Sequence, residues 1–189
     1  MISIKEAPQV NSTVKNTSTI TVKVNKWGDK QWFGEDGKLH REDGPAIELA
    51  NGDKQWWVNG KLHRDDGPAF ECLRTGYKEW WVKGNLHRED GPAVVWPLGD
   101  DGKVFGEWYQ DGRLHREDGP AIEYSTGYKA WYKNGKRHRL DGPAIEGCGG
   151  EKSWWLNNVF TSDAPGQVVR VTRMTSPPQR VRVERSRFR

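Results

Sequence analysis

The chain has 189 residues and a net charge of +4; 34% of its residues are hydrophobic, and eleven are tryptophan. This length suits one domain, or one repeat array with short flanks. The apolar share lies below that of ordinary globular domains, so we expect a thin core in which tryptophan supplies much of the buried area.

The composition argues against membrane and secreted classes. No apolar run approaches the roughly 20 residues that a membrane-spanning helix needs, and the first ten residues lack the basic and apolar regions of a secretory signal.

The two cysteines, Cys72 and Cys148, lie about three repeats apart. At roughly 4.8 Å per strand this separation far exceeds the limit of about 7 Å between the Cα atoms of a disulfide. We therefore expect a reducing compartment, the cytoplasm.

The positive charge is concentrated at the C-terminal end. Residues 168–189 carry seven arginines and one glutamate, a net +6, so the other 167 residues sum to −2. Several arginine–phosphate contacts give salt-dependent, sequence-independent binding. Three interpretations stay open: contact with nucleic acid or acidic lipid, docking on an acidic protein, or solubilisation alone. The arginines are Arg170, Arg173, Arg180, Arg182, Arg185, Arg187 and Arg189.

Residues 1–18 are rich in Ser, Thr, Asn and Lys and are predicted to be a loosely held arm. From Thr19 the sequence alternates, with Ile20, Val22 and Val24 on one side, which predicts a half-buried strand. We expect this strand to precede the first tryptophan strand and to begin an array.

The segment Leu39–Ala46, which reads LHREDGPA, anchors a unit written five times in full and once in part. Every histidine of the chain lies in this segment, at steps of 23, 24, 28 and 23 residues. A fixed period in this range indicates a repeat array. The histidines are His40, His63, His87, His115 and His138.

Each unit opens with a strand that contains two adjacent aromatic residues, of which the first is tryptophan. The predicted strands are Gln31–Phe33, Gln55–Val58, Glu79–Val82, Glu107–Gln110, Ala130–Lys133 and Ser153–Leu156. The first tryptophans are Trp32, Trp56, Trp80, Trp108, Trp131 and Trp154.

A tight turn follows each aromatic strand. Asn-Gly and Asp-Gly accept positive φ at both central positions and therefore favour two-residue hairpins. The turns are Asp36-Gly37, Asn59-Gly60, Lys83-Gly84, Asp111-Gly112 and Asn134-Gly135.

A short return segment, Lys-Leu-His-Arg in the first two units, leads to a second turn, Asp-Gly-Pro. Proline lacks a backbone donor and ends the ladder there, so a third strand is predicted to start at the next alanine. These alanines are Ala46, Ala69, Ala93, Ala121 and Ala144. An outer glycine turn then leads to the next tryptophan. The segment Trp96–Val104 lengthens one outer turn, as expected of a surface loop.

The sixth unit keeps the strand at Trp154 and the turn Asn157-Asn158 but lacks His-Arg and Gly-Pro, as is typical of a capping terminal repeat. Beyond Pro165-Gly166 valine and arginine alternate around Arg170 and Arg182. Two interpretations stay open for this region: a last hairpin with an arginine face, or a disordered basic tail.

Every segment is short, alternating and bounded by Gly, Pro, Asn or Asp, and none shows a helical period. We therefore predict an all-β protein, a tandem β-hairpin repeat array that forms an elongated, twisted, single-layer antiparallel sheet. The predicted regions are an N-terminal arm (1–18), the array (19–160) and an arginine-rich C-terminal extension (161–189).

At WWVNGKLH…GPAFE…TG the chain resembles the MORN repeat in a divergent form, over about residues 27–158. Trp56, Asn59-Gly60-Lys61, His63, Gly67 and Gly76 match the family pattern, with Phe70 in its short strand. Arg64 stands where the family has glycine after His, and Asp66-Gly67-Pro68 replaces its tighter turn. HREDGPA versions look like those in uncharacterised proteins of tailed phages and large DNA viruses. The resemblance implies a hairpin stack with scaffolding, protein-contact or acidic-lipid roles, no catalysis, and, if a phage encodes it, the host cytoplasm.

The His-Arg-x-Asp sets invite a metal or acid–base hypothesis. Zinc needs three or four converging ligands, whereas equivalent histidines are expected about 10 Å apart along the stack. Catalysis needs different functional groups arranged around one point, rather than the same set of residues repeated along a stack. We therefore predict no catalytic residue, no metal site and no cofactor. The histidines are expected to pack within their hairpins, and the aspartates to bond turn amides.

Two surface features remain as candidates. The arginines after the histidines are expected to pair with neighbouring carboxylates, or else to form a polyanion-binding ladder. The second aromatic of each pair faces away from the first, so this column is either covered by the hairpins or exposed as a protein interface. The column, which we call the second aromatic column, comprises Phe33, Trp57, Trp81, Tyr109, Tyr132 and Trp155.

The leading hypothesis is a non-enzymatic interaction or scaffold protein that contacts a protein partner, with homo-oligomers as a further possibility. The alternative, from another class, is a polyanion binder that uses the arginine-rich extension to contact nucleic acid or acidic lipid.

Overall fold

The computed structural model describes residues 19–96 and 105–161, together with the backbone of two short strands at 170–172 and 182–184. The predicted arm, most of the loop after Trp96 and most of the arginine-rich extension lie outside the described residues.

The described residues form short β-strands and turns. In chain order the strands are β1 (Thr21–Val24), β2 (Lys30–Phe33), β3 (Ile47–Glu48), β4 (Lys54–Gln55), β5 (Trp57–Val58), β6 (Lys61–Leu62), β7 (Phe70–Glu71), β8 (Lys78–Glu79), β9 (Trp81–Val82), β10 (Asn85–Leu86), β11 (Val94–Val95), β12 (Gly106–Glu107), β13 (Tyr109–Gln110), β14 (Arg113–Leu114), β15 (Ile122–Glu123), β16 (Lys129–Ala130), β17 (Tyr132–Lys133), β18 (Lys136–Arg137), β19 (Ile145–Glu146), β20 (Lys152–Leu156), β21 (Val159–Thr161), β22 (Arg170–Thr172) and β23 (Arg182–Glu184).

Thirteen of these strands form one antiparallel sheet in the order β1-β2-β3-β4-β7-β8-β11-β12-β15-β16-β19-β20-β21. The order follows the chain, so each hairpin lies beside its sequence neighbours. The prediction of an all-β, antiparallel hairpin-repeat sheet is confirmed. Strand β1 pairs with β2, as expected of a strand that begins the array. The prediction that this strand is half-buried is wrong: β1 is the edge strand of a single-layer sheet, and Ile20, Val22 and Val24 are exposed. Across the described ranges the structure contains no helix that is long and apolar enough to cross a membrane.

The predicted aromatic strands are divided at their first tryptophan in the second to fifth units. Trp56 illustrates the cause: its N–H donates to the carbonyl of Ala69 at 2.8 Å, and its own carbonyl accepts from the N–H of His63 at 3.0 Å. The backbone therefore changes partner at this residue, from the large sheet to the return segment. The residues beyond it form separate two-stranded hairpins, such as β5 with β6.

The hairpin turns have the backbone that Asn-Gly predicts. Asn59 has φ +50° and Gly60 φ +73°, both in the left-handed region. The first unit differs from the prediction: Phe33 bridges Leu39 alone, and Gly34 accepts from Gly37, because Phe33 and Leu39 are one residue further apart than Trp57 and Leu62. Asp36-Gly37 is therefore part of a longer loop.

Lys83 is the one lysine that occupies the left-handed turn position, with φ +52°, where other units have Asn or Asp. A lysine side chain is strained in this region, and asparagine tolerates it. We expect Lys83→Asn to raise the free energy of unfolding by about 0.5 to 1 kcal/mol, measured by urea titration. Lys61→Asn, in the adjoining strand β6, should not stabilise; an equal gain there would contradict the turn explanation.

Four of the five histidines join successive units rather than only their own hairpins, whereas the buried Nδ1 of His138 has no partner among the described residues. The Nδ1 atom of His40 accepts from the backbone N–H of Asn59 at 3.1 Å, and that of His115 accepts from Asn134 at 3.1 Å. Backbone bonds run in parallel with them, since Gly60 donates to the carbonyl of Leu39 at 2.8 Å. The two-stranded hairpins are thereby stacked from one unit to the next.

The most buried residues are small. Five alanines that follow the prolines are 0% exposed, and no large side chain is fully buried among the described residues. The alanines are Ala46, Ala69, Ala93, Ala121 and Ala144. The core is therefore a column of methyl groups within a single layer, and the aromatic side chains lie half-buried on its two faces.

Candidate functional site

The strand register separates the two faces of the sheet. Residues directly opposite in an antiparallel pair share a face, so Lys54, Glu71 and Lys78 lie on one face while Gln55, Phe70 and Glu79 lie on the other. We call the first the arginine face and the second the aromatic face.

On the arginine face each repeat arginine lies over the first tryptophan of its own unit, 3.9 to 4.2 Å from the ring centroid. Its Nε donates to the aspartate two residues on at 2.7 to 2.9 Å, and its Nη1 donates to the proline carbonyl at 3.2 to 3.4 Å. The arginines are Arg41, Arg64, Arg88, Arg116 and Arg139. The sixth tryptophan, Trp154, has a buried Nε1 that finds no hydrogen-bond partner among the residues the structure describes.

This pairing confirms that the repeat arginines bond their neighbouring carboxylates, and it corrects the expectation for the aspartates. Asp66 bonds Arg64 rather than a turn amide of the next residues, because the guanidinium lies over Trp56 within reach. The hydrogen bond to Arg64 is the main cause that lowers the pKa of Asp66. Asp43, Asp90, Asp118 and Asp141 show the same effect. A polyanion would have to displace these carboxylates.

The second aromatic column lies on the opposite face and is half-buried throughout. Four of its members donate to the residue two positions earlier on the same face, as Trp57 Nε1 does to Gln55 Oε1 at 2.9 Å and Trp155 Nε1 to Ser153 Oγ at 2.9 Å. In the first four units its members stand opposite the leucines of the return segments, as Trp57 does opposite Leu62, whereas Tyr132 stands opposite Arg137 and Trp155 opposite Phe160. The column is thus partly covered by the hairpins and partly open.

A chain of further aromatic contacts crosses the same face. Phe70 and Tyr77 have ring centroids 5.9 Å apart, Tyr77 and Trp96 6.2 Å, Trp96 and Tyr124 5.3 Å, and Tyr124 and Tyr128 5.6 Å. The five rings span the strands from β7 to β16. Trp96 is the last described residue before the inserted loop, so the base of that loop adjoins this cluster.

Two carboxylates lie among these rings. Glu79 accepts from Tyr77 Oη and, at 2.7 Å, from Trp81 Nε1. Glu107 accepts from Tyr109 Oη at 2.9 Å and from Tyr124 Oη at 2.8 Å. Strand β11 separates the two, with Val94 opposite both. Each carboxylate thus receives two aromatic donors.

The environment of the tyrosines disfavours their ionisation. Burial, followed by the hydrogen bond to Glu107, raises the pKa of Tyr124 from 10.0 to about 12. The same two causes raise the pKa of Tyr109, and burial with the bond to Glu79 raises that of Tyr77. Burial also raises the pKa of Tyr132.

These shifts predict an alkaline limit. A pKa raised on folding contributes stability that is complete below the unfolded value of 10.0 and is lost as pH rises through the folded value, about 12 for Tyr124. Titration of tyrosinate absorbance should therefore show most of the five tyrosines ionising above pH 10. Glu107→Gln should move the Tyr109 and Tyr124 transitions downward. Glu123→Gln, on the arginine face, should leave them in place; an unchanged titration in Glu107→Gln would contradict the assignment.

The other predicted residues remain apart from this cluster. Across the described ranges no group of three or more His, Cys, Asp or Glu residues is placed to hold a metal ion. Both cysteines are free thiols. In the extension, strands β22 and β23 pair antiparallel with Arg170 opposite Glu184 and Arg182 opposite Thr172; the other five arginines lie outside the described residues.

Sequence reasoning missed Phe70, Tyr77, Trp96, Tyr124 and Tyr128 and the carboxylates of Glu79 and Glu107. A period-2 signal was present in one strand, since Tyr77, Glu79 and Trp81 alternate. The contacts between Tyr77, Trp96 and Tyr124 join different units and depend on strand register.

The fold and the two faces define a tandem β-hairpin repeat protein with one charge-paired face and one aromatic face. No protein-family model matches the chain, and no curated protein matches it.

Proposed function

We propose that this protein is a non-enzymatic interaction protein, built from MORN-like hairpin repeats, that binds a protein partner on its aromatic face. The observation that supports this proposal is the continuous chain of half-buried rings from Phe70 to Tyr128 on a single-layer sheet. Contiguous exposed apolar patches commonly mark binding surfaces.

The chemistry of the rings also favours protein contact. Tyrosine and tryptophan are enriched in interface cores and among the residues that contribute most binding energy. Here Tyr77, Trp81, Tyr109 and Tyr124 already donate to Glu79 or Glu107, and Trp57 donates to Gln55. A partner can therefore cover the rings without leaving these donors unpaired, which would otherwise oppose binding.

The arginine face is less suited to this role. Its strand residues alternate in charge and pair with each other, as Lys30 does with Glu48 at 3.8 Å and Lys129 with Glu123 at 3.4 Å. A partner would have to dehydrate these charges without a compensating gain. The two faces thus provide a test surface and a control surface in the same molecule.

The test is partner capture by the full-length protein from extracts of the cells that produce it. Trp96→Ala combined with Tyr124→Ala should reduce capture at least about tenfold, as expected for residues central to an interface. Thermal unfolding of each variant establishes that the array is intact.

The matched control removes two exposed apolar side chains elsewhere, Trp27→Ala with Leu140→Ala. This variant should retain capture. If both variants lose capture equally, or if neither loses it, the aromatic face is not the binding surface.

A polyanion-binding function is the second candidate, since pairing of β22 with β23 brings two arginine-containing strands side by side. Deletion of residues 168–189 should then abolish binding of the full chain to heparin or DNA, and that binding should weaken steeply with salt. Binding that survives the deletion would exclude the extension as the site.

A further inference from the structure

The aromatic face contains two acidic groups with no cationic partner in the described part of the chain. At the other sheet glutamates the situation differs: Glu48, Glu71, Glu123 and Glu146 each have a lysine or arginine nitrogen within 3.2 to 3.8 Å. Among the residues that the structure describes, the donors to Glu79 and Glu107 are instead aromatic side chains. Half-buried charge without a counter-charge is costly, so a cationic occupant of this face would be stabilised.

The second aromatic column already holds cations at its two ends. Lys23 Nζ lies 4.6 Å from the ring centroid of Phe33, and the Arg137 guanidinium carbon lies 3.7 Å from that of Trp155. Arg137 occupies the position at which the other full units have leucine. Lysine and arginine are attracted to aromatic faces in this geometry. The middle of the column, at Trp81 and Tyr109, offers the same surface beside Glu79 and Glu107.

The chain carries its own cationic segment of the required charge. Residues 168–189 have a net charge of +6, against −2 for the rest. Arginine is also the residue that lies over tryptophan in every full repeat, at 3.9 to 4.2 Å. The complementary charge and the stacking chemistry therefore occur in one molecule.

The extension is long enough to reach this face. It follows β21, which ends at Thr161 and lies five strand positions from Glu107 and seven from Glu79, or about 24 and 34 Å at roughly 4.8 Å per strand. Arg182 lies opposite Thr172 in the β22–β23 pair, and the residues from Thr161 to Thr172 span up to about 36 Å when extended. Chain length therefore permits docking within one molecule.

The arginine spacing suits the two carboxylates. Arg180 and Arg182 are two residues apart, as are Arg185, Arg187 and Arg189, so in an extended chain each set repeats along one side every ~6.8 Å, with the second set on the side opposite to the first. Glu79 and Glu107 are separated by two strand spacings, about 10 Å. Long arginine side chains span the difference between the arginine spacing and the separation of the two carboxylates.

We propose that the arginine-rich extension, residues 168–189, docks on the aromatic face of its own chain, with guanidinium groups over Trp81 and Tyr109 and paired with Glu79 and Glu107. This inference rests on the proposed function, because it makes the extension the competitor that a partner displaces from the same face. This docking also predicts which protein partners bind the aromatic face best. They are partners with arginine- or lysine-rich segments, because these supply the same cationic groups as the extension.

The test is limited trypsin digestion of the full-length protein, since trypsin cleaves after arginine and docking protects these sites. In Glu79→Gln with Glu107→Gln, cleavage at the extension should be about tenfold faster than in the wild type, the change expected for a loss of roughly 1.4 kcal/mol. The wild-type rate should rise with salt and should not depend on protein concentration.

The matched control removes the same two charges from the arginine face, Glu71→Gln with Glu123→Gln, and should keep the wild-type cleavage rate. A second variant, Arg180→Gln with Arg182→Gln, cannot disturb the array and should accelerate cleavage at Arg185 and beyond. Equal rates in wild type and Glu79→Gln/Glu107→Gln, or equal acceleration in the control, would overturn the proposal. Protection that disappears on dilution would assign the extension to a second copy and overturn it as well.

The outcomes separate this inference from the proposed function. If digestion shows no protection while partner capture still depends on Trp96 and Tyr124, docking fails and the interaction function stands. If protection depends on Glu79 and Glu107 but no partner is captured through the face, the face serves the extension and the interaction function fails.

Discussion

Arg88→Ala is expected to lower the free energy of unfolding by about 2 to 3 kcal/mol. The guanidinium lies 3.9 Å from the Trp80 centroid, bonds Asp90 Oδ1 at 2.7 Å and donates to the carbonyl of Pro92 at 3.2 Å. One side chain thereby joins the strand, the return segment and the proline turn of its unit. Its loss exposes the tryptophan and leaves the proline carbonyl unpaired.

Arg88→Lys should recover less than half of this loss, because an ammonium group cannot stack on the ring and donate in two directions together. Arg74→Ala, at an exposed residue of an outer turn, should change stability by less than about 0.5 kcal/mol. Guanidinium titration followed by tryptophan fluorescence measures all three variants. Wild-type stability in Arg88→Lys would show that charge alone, not the planar fork, supports the unit.

Ala121→Leu is expected to destabilise by a similar amount, about 2 to 3 kcal/mol. Ala121 is 0% exposed, and its carbonyl accepts from the N–H of Trp108 at 2.8 Å. Three added carbon atoms must displace either this strand or the neighbouring turn, since a close-packed position cannot enlarge without strain. The effect should extend to adjacent units because each contacts mainly its neighbours.

The control for this variant is Ala50→Leu, at an exposed alanine of an outer turn, which should be nearly neutral. Calorimetric unfolding of both variants compares the two sites. A stable Ala121→Leu protein would mean that the methyl column is loosely packed, contrary to its burial.

These two predictions concern the structure and not the aromatic face, so they serve as a reference for the binding experiments. Loss of capture in Trp96→Ala/Tyr124→Ala with unchanged unfolding points to the surface. Loss of capture in Arg88→Ala, which lies on the opposite face, would point to unfolding of the array.

Much of the backbone could be predicted from short sequence signals. Asn59-Gly60 requires left-handed φ and takes it, and the prolines end each strand pair as expected. The pairing of Arg64 with Asp66 could also be anticipated, because the two are close in sequence. Local signals suffice where the interacting groups lie within a few residues of one another.

Other features could not be predicted in the same way. The division of the aromatic strands at Trp56 and its equivalents in the second to fifth units arises because this residue bonds Ala69 and His63, which lie in different segments. Sequence hydrophobicity favoured tryptophan as the core, whereas the alanine column is buried and the tryptophans are covered by arginine.

By itself, the sequence determined a period of about 23 residues, an all-β hairpin array and a separation of charge between array and extension. Only the tertiary structure decided that Tyr77, Trp96 and Tyr124 meet on one face around Glu79 and Glu107. The physical reason is the distance along the sequence between the residues that interact. Turn conformation depends on neighbouring residues, but the contacts of this face join residues of different units and exist only once strand register is fixed.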